Sequence, residues 1–115
     1  MAELRIIDQS GDLTIVSLRG ELDSQGVGKV ETRFAAAICP AGKNAIVDFS
    51  EVGFLASLGI RMLISTARAL AGRGARMIII APQELVRESL VAASIDQLIP
   101  LADNIDDARN LLNAG

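Results

Sequence analysis

Two stretches near the start of the chain alternate apolar and polar residues, which is the pattern of half-buried β-strands. They cover residues 3–8 and 12–19, and Ser10-Gly11-Asp12 lies between them with the composition of a tight turn. This arrangement predicts a hairpin. The alternation breaks at residues 20–24, and apolar residues then recur every three or four positions, which predicts a helix over residues 24–38. The residues expected on its apolar face are Val27, Val30, Phe34 and Ile38.

Two short runs in the middle of the chain are nearly all apolar. They cover residues 45–49 and 75–81, and such runs are typical of strands covered on both faces. A turn through Ser50, Glu51 and Gly53 is predicted to end the first run. We therefore expect two buried strands with a helix between them.

The last third of the chain predicts two helices and a weaker strand. Pro82 begins the first of these helices. A weaker strand follows near residues 98–101. Asn104 is predicted to cap the final helix, with Asp106 and Asp107 in its first turn, where the helix dipole favours acids. The helix that begins at Pro82 is expected to pack through Leu85, Val86, Leu90 and Ala93.

The elements are predicted in the order β-β-α-β-α-β-α-β-α. Parallel neighbouring strands need a helix between them, so this order predicts an α/β fold with a mixed β-sheet and about four helices packed on it. The chain has 115 residues and no internal repeat or linker, so a single domain is predicted over residues 1–115.

The predicted helix over residues 58–72 carries more apolar residues than one buried stripe requires. A helical wheel places Leu58 and Met62 opposite the stripe, so both are expected to face solvent. An exposed apolar pair can form a contact surface, although single apolar residues are also common on protein surfaces. The stripe itself is expected to consist of Ile60, Leu63, Ile64, Ala67, Leu70 and Ala71.

Ser57 lies where the strand-to-helix turn becomes helix, among backbone N–H groups that have no partner within the helix. Its hydroxyl is suited to an ordinary N-cap. The same N–H groups and the helix dipole would also stabilise a phosphate, so a regulatory phosphoserine is the second interpretation. The residues alone do not separate the two.

The charge and the aromatic content argue against nucleic acid as a partner. The net charge is −3, from 11 basic and 14 acidic residues, and it supplies no positive field for a phosphate backbone. The aromatic residues are three Phe, too few for the stacking surfaces of single-strand readers.

The chain contains no histidine, which removes Ser-His-Asp and Cys-His chemistry and the commonest zinc ligand. We therefore predict that it is not an enzyme and needs no metal or other cofactor. Cys39 is the only cysteine and is expected to be a small buried residue. With no disulfide, no signal-like start and no apolar run of membrane-spanning length, the expected location is the cytoplasm.

Two further patterns resemble ligand sites. Asp23, Asp48 and Glu51 have the carboxylates that Mg²⁺ prefers, but we interpret them as solvated loop acids. Gly72-Arg73-Gly74 follows a helix and precedes a strand, the reverse of the order in phosphate-binding loops, so it is read as a helix end.

Three segments together resemble the STAS domain of bacterial anti-sigma-factor antagonists. They are residues 19–23 (RGELD), 45–54 (AIVDFSEVGF) and 56–63 (ASLGIRML), and the resemblance extends over nearly the whole chain. In that family the third segment usually reads Asp-Ser-Ser-Gly or Asp-Ser-Thr-Gly, and its first serine is the phosphate acceptor. By position that serine is Ser57. Ala56 stands where the family usually has Asp, and Leu58 where it has a second Ser or Thr.

The resemblance implies partner switching in bacterial transcription regulation. The unphosphorylated protein would bind an anti-sigma factor serine kinase and free a sigma factor, phosphorylation of Ser57 would reverse the binding, and a phosphoserine phosphatase would restore it. The residues that the resemblance and the wheel place at this interface are Glu21, Asp23, Ser24, Ala56, Leu58, Gly59, Arg61 and Met62.

Two other functions remain open at this stage. The same fold could serve as a scaffold subunit of a stress-signalling or lipid-transport complex. A nucleotide-binding α/β domain is disfavoured because no strand is followed by a glycine-rich loop and a helix.

Overall fold

The computed structural model describes residues 2–113, so positions 1, 114 and 115 of the predicted single domain lie outside the described residues. Within them, five strands and four α-helices follow one another in the predicted order, which confirms the α/β fold class. The elements are β1 (Glu3–Asp8), β2 (Leu13–Leu22), α1 (Ser24–Ile38), β3 (Asn44–Leu55), α2 (Ser57–Ala71), β4 (Met77–Ile80), α3 (Glu84–Ala92), a short 3₁₀ turn (Ile95–Gln97), β5 (Leu101–Ala102) and α4 (Ile105–Asn113).

The strands form one mixed sheet in the order β1-β2-β3-β4-β5. β1 and β2 pair antiparallel as the predicted hairpin, and the remaining neighbours pair parallel. At the hairpin turn, the Asp8 carboxylate accepts hydrogen bonds from the Ser10 hydroxyl (2.7 Å) and backbone N–H (2.9 Å). These bonds hold the pKa of Asp8 below its ordinary value, because they stabilise the charged form.

β2 and β3 run further than their sequence patterns predict. The turn predicted through Ser50, Glu51 and Gly53 is wrong, because β3 continues to pair with β2 as far as Leu22 opposite Leu55. The pairing contains register shifts, and each shift interrupts the alternation of apolar and polar residues that marks a strand in the sequence. Because of this extension, both strands reach the carboxyl-terminal end of the sheet, where α1 and α2 begin.

The sheet is covered on both faces. One apolar cluster joins the sheet to α1, α2 and α3, and a second, smaller cluster joins the opposite face to α4. The Asn104 side chain accepts from the Asp107 N–H at 2.8 Å, which confirms the predicted cap of α4. The larger cluster is centred on fully buried side chains that include Leu18, Phe34, Phe49, Leu63 and Leu70.

α3 differs from its prediction at its start and in its packing. It begins at Glu84 rather than Pro82. Val86 and Leu90 are buried as expected, but Leu85 is 75% exposed and Ala93 is also exposed, so the predicted packing of these two residues is wrong. The buried stripe of this short helix consists of Val86 and Leu90. Leu85 lies beside that stripe and therefore faces solvent.

The buried face of α2 differs from the face that the helical wheel predicted. Met62 is only 2% exposed, so the prediction that it faces solvent is wrong, whereas Leu58 is 41% exposed as predicted. Ile60 and Ile64 are only half-buried and Ala71 is exposed. α2 packs against α1 as well as β3, and a helical wheel takes no account of a second neighbour. The buried face consists of Gly59, Met62, Leu63, Thr66, Ala67 and Leu70.

Candidate functional site

The first turns of α1 and α2 lie side by side at the carboxyl-terminal end of the sheet. β2 and β3 are parallel neighbours that end together, with Leu22 opposite Leu55. The Ala56 N–H donates to the Leu22 carbonyl at 3.0 Å, which ties the start of α2 to the end of β2. The segment of residues 20–23 therefore lies next to Ser57, as the resemblance implied.

Two glycines allow this close packing. A Cβ atom on Gly59 would lie 2.6 Å from Leu55 Cδ1 and 3.1 Å from both Leu22 Cβ and the Leu22 carbonyl oxygen. A Cβ atom on Gly26, in the first turn of α1, would overlap the Glu21 carbonyl oxygen. Any larger residue at either position would push a helix away from the strand ends, so both glycines hold the site in shape.

The two helix starts are capped differently. The Asp23 carboxylate accepts from the Gly26 N–H at 2.8 Å and so places a negative charge at the start of α1. The N-cap of α2 is Ala56, which makes no side-chain cap hydrogen bond. Among residues 2–113, therefore, no side chain accepts from the first N–H groups of α2, which leaves them suited to an anion.

Ser57 is the first helical residue of α2 and is exposed. The interpretation of Ser57 as an N-cap is wrong, because Ala56 holds that position in extended backbone conformation (φ −95°, ψ 175°). The Ser57 hydroxyl makes no hydrogen bond with any residue in the described range 2–113. It is accessible and is not used to hold the helix.

The predicted partner-binding residues fall into two groups. Glu21, Ser24, Leu58 and Arg61 are exposed, and Asp23 and Ala56 are half-buried around Ser57. The other two, Gly59 and Met62, are buried against the strand ends and the core, so neither presents a surface to a partner in this structure.

Phe54 was missed as a candidate. It lies three residues before Ser57 and is 51% exposed, and Leu58, one residue after Ser57, is 41% exposed. Sequence reasoning placed residues 50–53 in a turn, so an apolar residue immediately afterwards was not read as part of a surface. The signal available in the sequence was a large apolar residue shortly before the predicted start of α2.

The acids that were weighed as magnesium ligands make other contacts. Asp23 caps α1, Asp48 accepts from the Ser50 N–H at 2.8 Å, and Glu51 pairs with Arg19 at 3.1 Å. In residues 2–113 no three Asp, Glu or Cys side chains are grouped so that they could hold a metal ion. Gly74 has a φ of +80° just after α2, which confirms the helix end predicted there.

Cys39 is half-buried at the C-cap of α1, so it is less enclosed than expected. None of the helices in the described part of the chain has the length and apolar character needed to cross a membrane.

Comparisons with known proteins all point to one fold. A family model described as the STAS domain matches residues 5–108. The anti-sigma-F factor antagonist RsfB of Mycobacterium tuberculosis is 22% identical over 110 residues, which covers 96% of this chain and 88% of RsfB. The crystal structure of an anti-sigma factor antagonist from Mycobacterium paratuberculosis superposes with a TM-score of 0.84 at 23% identity, covering 98% of this chain and 95% of that one.

A third similar protein was solved in a modified state. It is the Bacillus cell fate determinant SpoIIAA in its phosphorylated form, with a TM-score of 0.68, 19% identity and coverage of 96% of this chain and 97% of that one.

Proposed function

The chain belongs to the STAS domain family, and on that premise we propose that it is an anti-sigma factor antagonist controlled by phosphorylation of Ser57. In its unphosphorylated form it binds an anti-sigma factor serine kinase in the cytoplasm and releases a sigma factor. Phosphorylation by that kinase weakens the binding, and a phosphatase restores it. The activity is therefore one of binding and not of catalysis.

The observation that carries the proposal is the accessible Ser57 hydroxyl at an uncapped helix start. It is exposed, makes no hydrogen bond within residues 2–113, and lies beside N–H groups that lack a side-chain acceptor. The oxygens of a phosphate there would accept hydrogen bonds from those N–H groups, and the positive end of the helix dipole would stabilise its charge. The protein can therefore hold the phosphate without rearranging. SpoIIAA, which has a similar fold, exists in a phosphorylated form, and this supports the proposal that the present chain is phosphorylated.

The switch follows from the charge that the phosphate adds. A phosphoserine carries about −1.5 to −2 charges at neutral pH. The Asp23 carboxylate that caps α1 lies on the neighbouring segment, so the phosphate adds to negative charge already present beside Ser57. A partner that closed over the neutral hydroxyl would have to desolvate this charge, and binding would weaken.

Incubation with ATP and the anti-sigma factor kinase that copurifies with the protein is expected to add one phosphate, at Ser57. Ser57→Ala should gain none. Ser50→Ala is the control and should gain one phosphate as wild type does, because Ser50 is exposed but is not among the predicted partner-binding residues. Intact-mass spectrometry measures all three proteins, and tandem spectra locate the phosphate.

Phosphate gained equally by wild type and Ser57→Ala would show that the acceptor is wrong. Ser24 and Ser50 would then be the next candidates, since both are exposed. If neither wild type nor Ser57→Ala gained a phosphate, the proposal that this kinase phosphorylates the protein would be wrong.

Substituting Ser57 with Glu is expected to weaken binding to the kinase by at least about tenfold, because a charge replaces a neutral hydroxyl inside the contact. Ser57→Ala should bind about as tightly as wild type and should not be released by ATP. Calorimetric titration of the three proteins checks both statements. Glutamate carries less charge than a phosphate, so the effect of Ser57→Glu is a lower bound for the switch. Equal affinities for Ser57→Glu and wild type would contradict the electrostatic mechanism.

A further inference from the structure

The second half of β3 has an open edge. β3 pairs with β4 only from Ala45 to Asp48, whereas its pairing with β2 continues to Leu55. On the β4 side, therefore, no strand in residues 2–113 pairs with residues 49–55. The Gln83 side-chain amide donates to the Ser50 carbonyl at 3.0 Å, so a polar group already occupies the beginning of this edge.

An apolar cleft runs beside the open edge. It has a volume of about 470 Å³ and lies between the end of β3 and α3. Leu85 is 75% exposed and Phe54 is 51% exposed, so two large apolar side chains stand at its mouth. The floor and walls include Phe54, Leu55, Leu85, Val86, Ser89 and Ala92.

The charges next to the cleft are negative. Glu88 lines it and Glu84 lies one helical turn earlier on α3. Both are exposed, and neither forms an ion pair with a residue in the described part of the chain. A ligand that fills the cleft would therefore bind better with Lys or Arg beside its apolar part.

We propose that this edge and cleft bind an extended peptide segment of a partner protein, in which an apolar residue is flanked by Lys or Arg. The segment adds a strand alongside residues 51–55, its apolar side chain enters the cleft, and its cations face Glu84 and Glu88. Main-chain hydrogen bonds supply affinity in this mode and the side-chain pocket supplies specificity. The site needs no phosphate and acts independently of Ser57.

Other occupants fit these observations less well. A helix would leave the backbone groups of the open edge without partners. A second copy of this chain, docked through the same cleft, would bring the Glu84 and Glu88 carboxylates of two copies together. An extended basic segment satisfies the edge, the cleft and the charges at once.

The test uses a defined probe, the acetylated and amidated peptide Lys-Thr-Lys-Leu-Lys-Thr, titrated into ¹⁵N-labelled protein. Amide shifts are expected at residues 52–55 and along α3, with slower hydrogen exchange at residues 52–55. A peptide with Glu in place of each Lys, and one with alternate backbone nitrogens methylated, should both bind at least about tenfold more weakly.

Matched variants locate the binding to the cleft. Leu85→Ser should weaken binding of the Lys peptide by at least about fivefold, as expected when an exposed apolar anchor is removed. Val91→Ser should leave binding unchanged, because Val91 lies on the same helix and is 48% exposed but does not line the cleft. Glu88→Gln should weaken binding of the Lys peptide more than that of a peptide in which Ser replaces Lys.

The proposal is overturned if the Lys peptide shifts no amides at residues 52–55, or shifts amides elsewhere instead. It is also overturned if the methylated peptide binds as well as the unmodified one, since strand addition would then contribute nothing. Because none of these readouts involves phosphate, they are separable from the tests of Ser57.

Discussion

Met62→Ala is expected to lower the free energy of unfolding by about 2–5 kcal/mol. Met62 is 2% exposed and belongs to the main apolar cluster, where α2 contacts both α1 and β3. Truncating it removes buried methylene and sulfur contacts and leaves a cavity that the surrounding helices can fill only in part. Chemical denaturation followed by circular dichroism measures the change.

Leu58→Ala is the matched control on the same helix. Leu58 is 41% exposed one turn before Met62, so its truncation should change stability by less than about 1 kcal/mol. Binding to the anti-sigma factor kinase should respond in the opposite order, with Leu58→Ala costing more than about 1 kcal/mol if Leu58 fills a pocket on the partner. A Met62→Ala protein as stable as wild type would contradict the burial of that helix face.

Gly26→Ala is expected to destabilise the protein by about 3 kcal/mol. The added methyl group would overlap the Glu21 carbonyl oxygen, which is backbone and cannot move aside as a flexible side chain could. The same change would push the start of α1 away from β2 and weaken the Asp23 cap on the Gly26 N–H. Denaturant unfolding measures the stability, and the loss should be accompanied by weaker kinase binding even where the variant remains folded.

Gly28→Ala provides the control two residues further along α1. A Cβ atom there would meet no atom within 4 Å, so the substitution is free of steric cost. Alanine is the better helix former by roughly 0.8–1 kcal/mol, and Gly28→Ala should be neutral or slightly stabilising. If both variants lost the same stability, overlap with the Glu21 carbonyl oxygen would not be the cause, and the role assigned to Gly26 would be wrong.

The order and type of the elements could be predicted from the sequence. The bounds of α1 at Ser24 and Ile38 agree with the predicted 24–38, and the Asn104 cap lies where it was expected. These features depend on neighbours in sequence: turn residues, capping residues and the spacing of apolar positions along one element. The position of Ser57 at the start of α2 belongs to the same class, since the strand-to-helix change is local.

Other features depended on contacts between distant parts of the chain. The extension of β3 to Leu55 is stabilised by pairing with β2 across register shifts, which no alternation within β3 reveals. Met62 is buried in a cluster that includes residues of α1, and a helical wheel of α2 cannot show such a neighbour. The exposure of Leu85 follows from the narrow contact that α3 makes with the sheet.

The sequence by itself therefore determined the fold class, the succession of elements and the position of the exposed serine at a helix start. Only the tertiary structure decided which faces of the helices are buried, and it left Leu58 at the surface while Met62 enters the core. The physical reason is that periodicity reports a helix's own apolar stripe, whereas burial is set by the number and the direction of its neighbours. The open edge of β3 is of the same kind, because it exists only where β4 ends before its neighbour does.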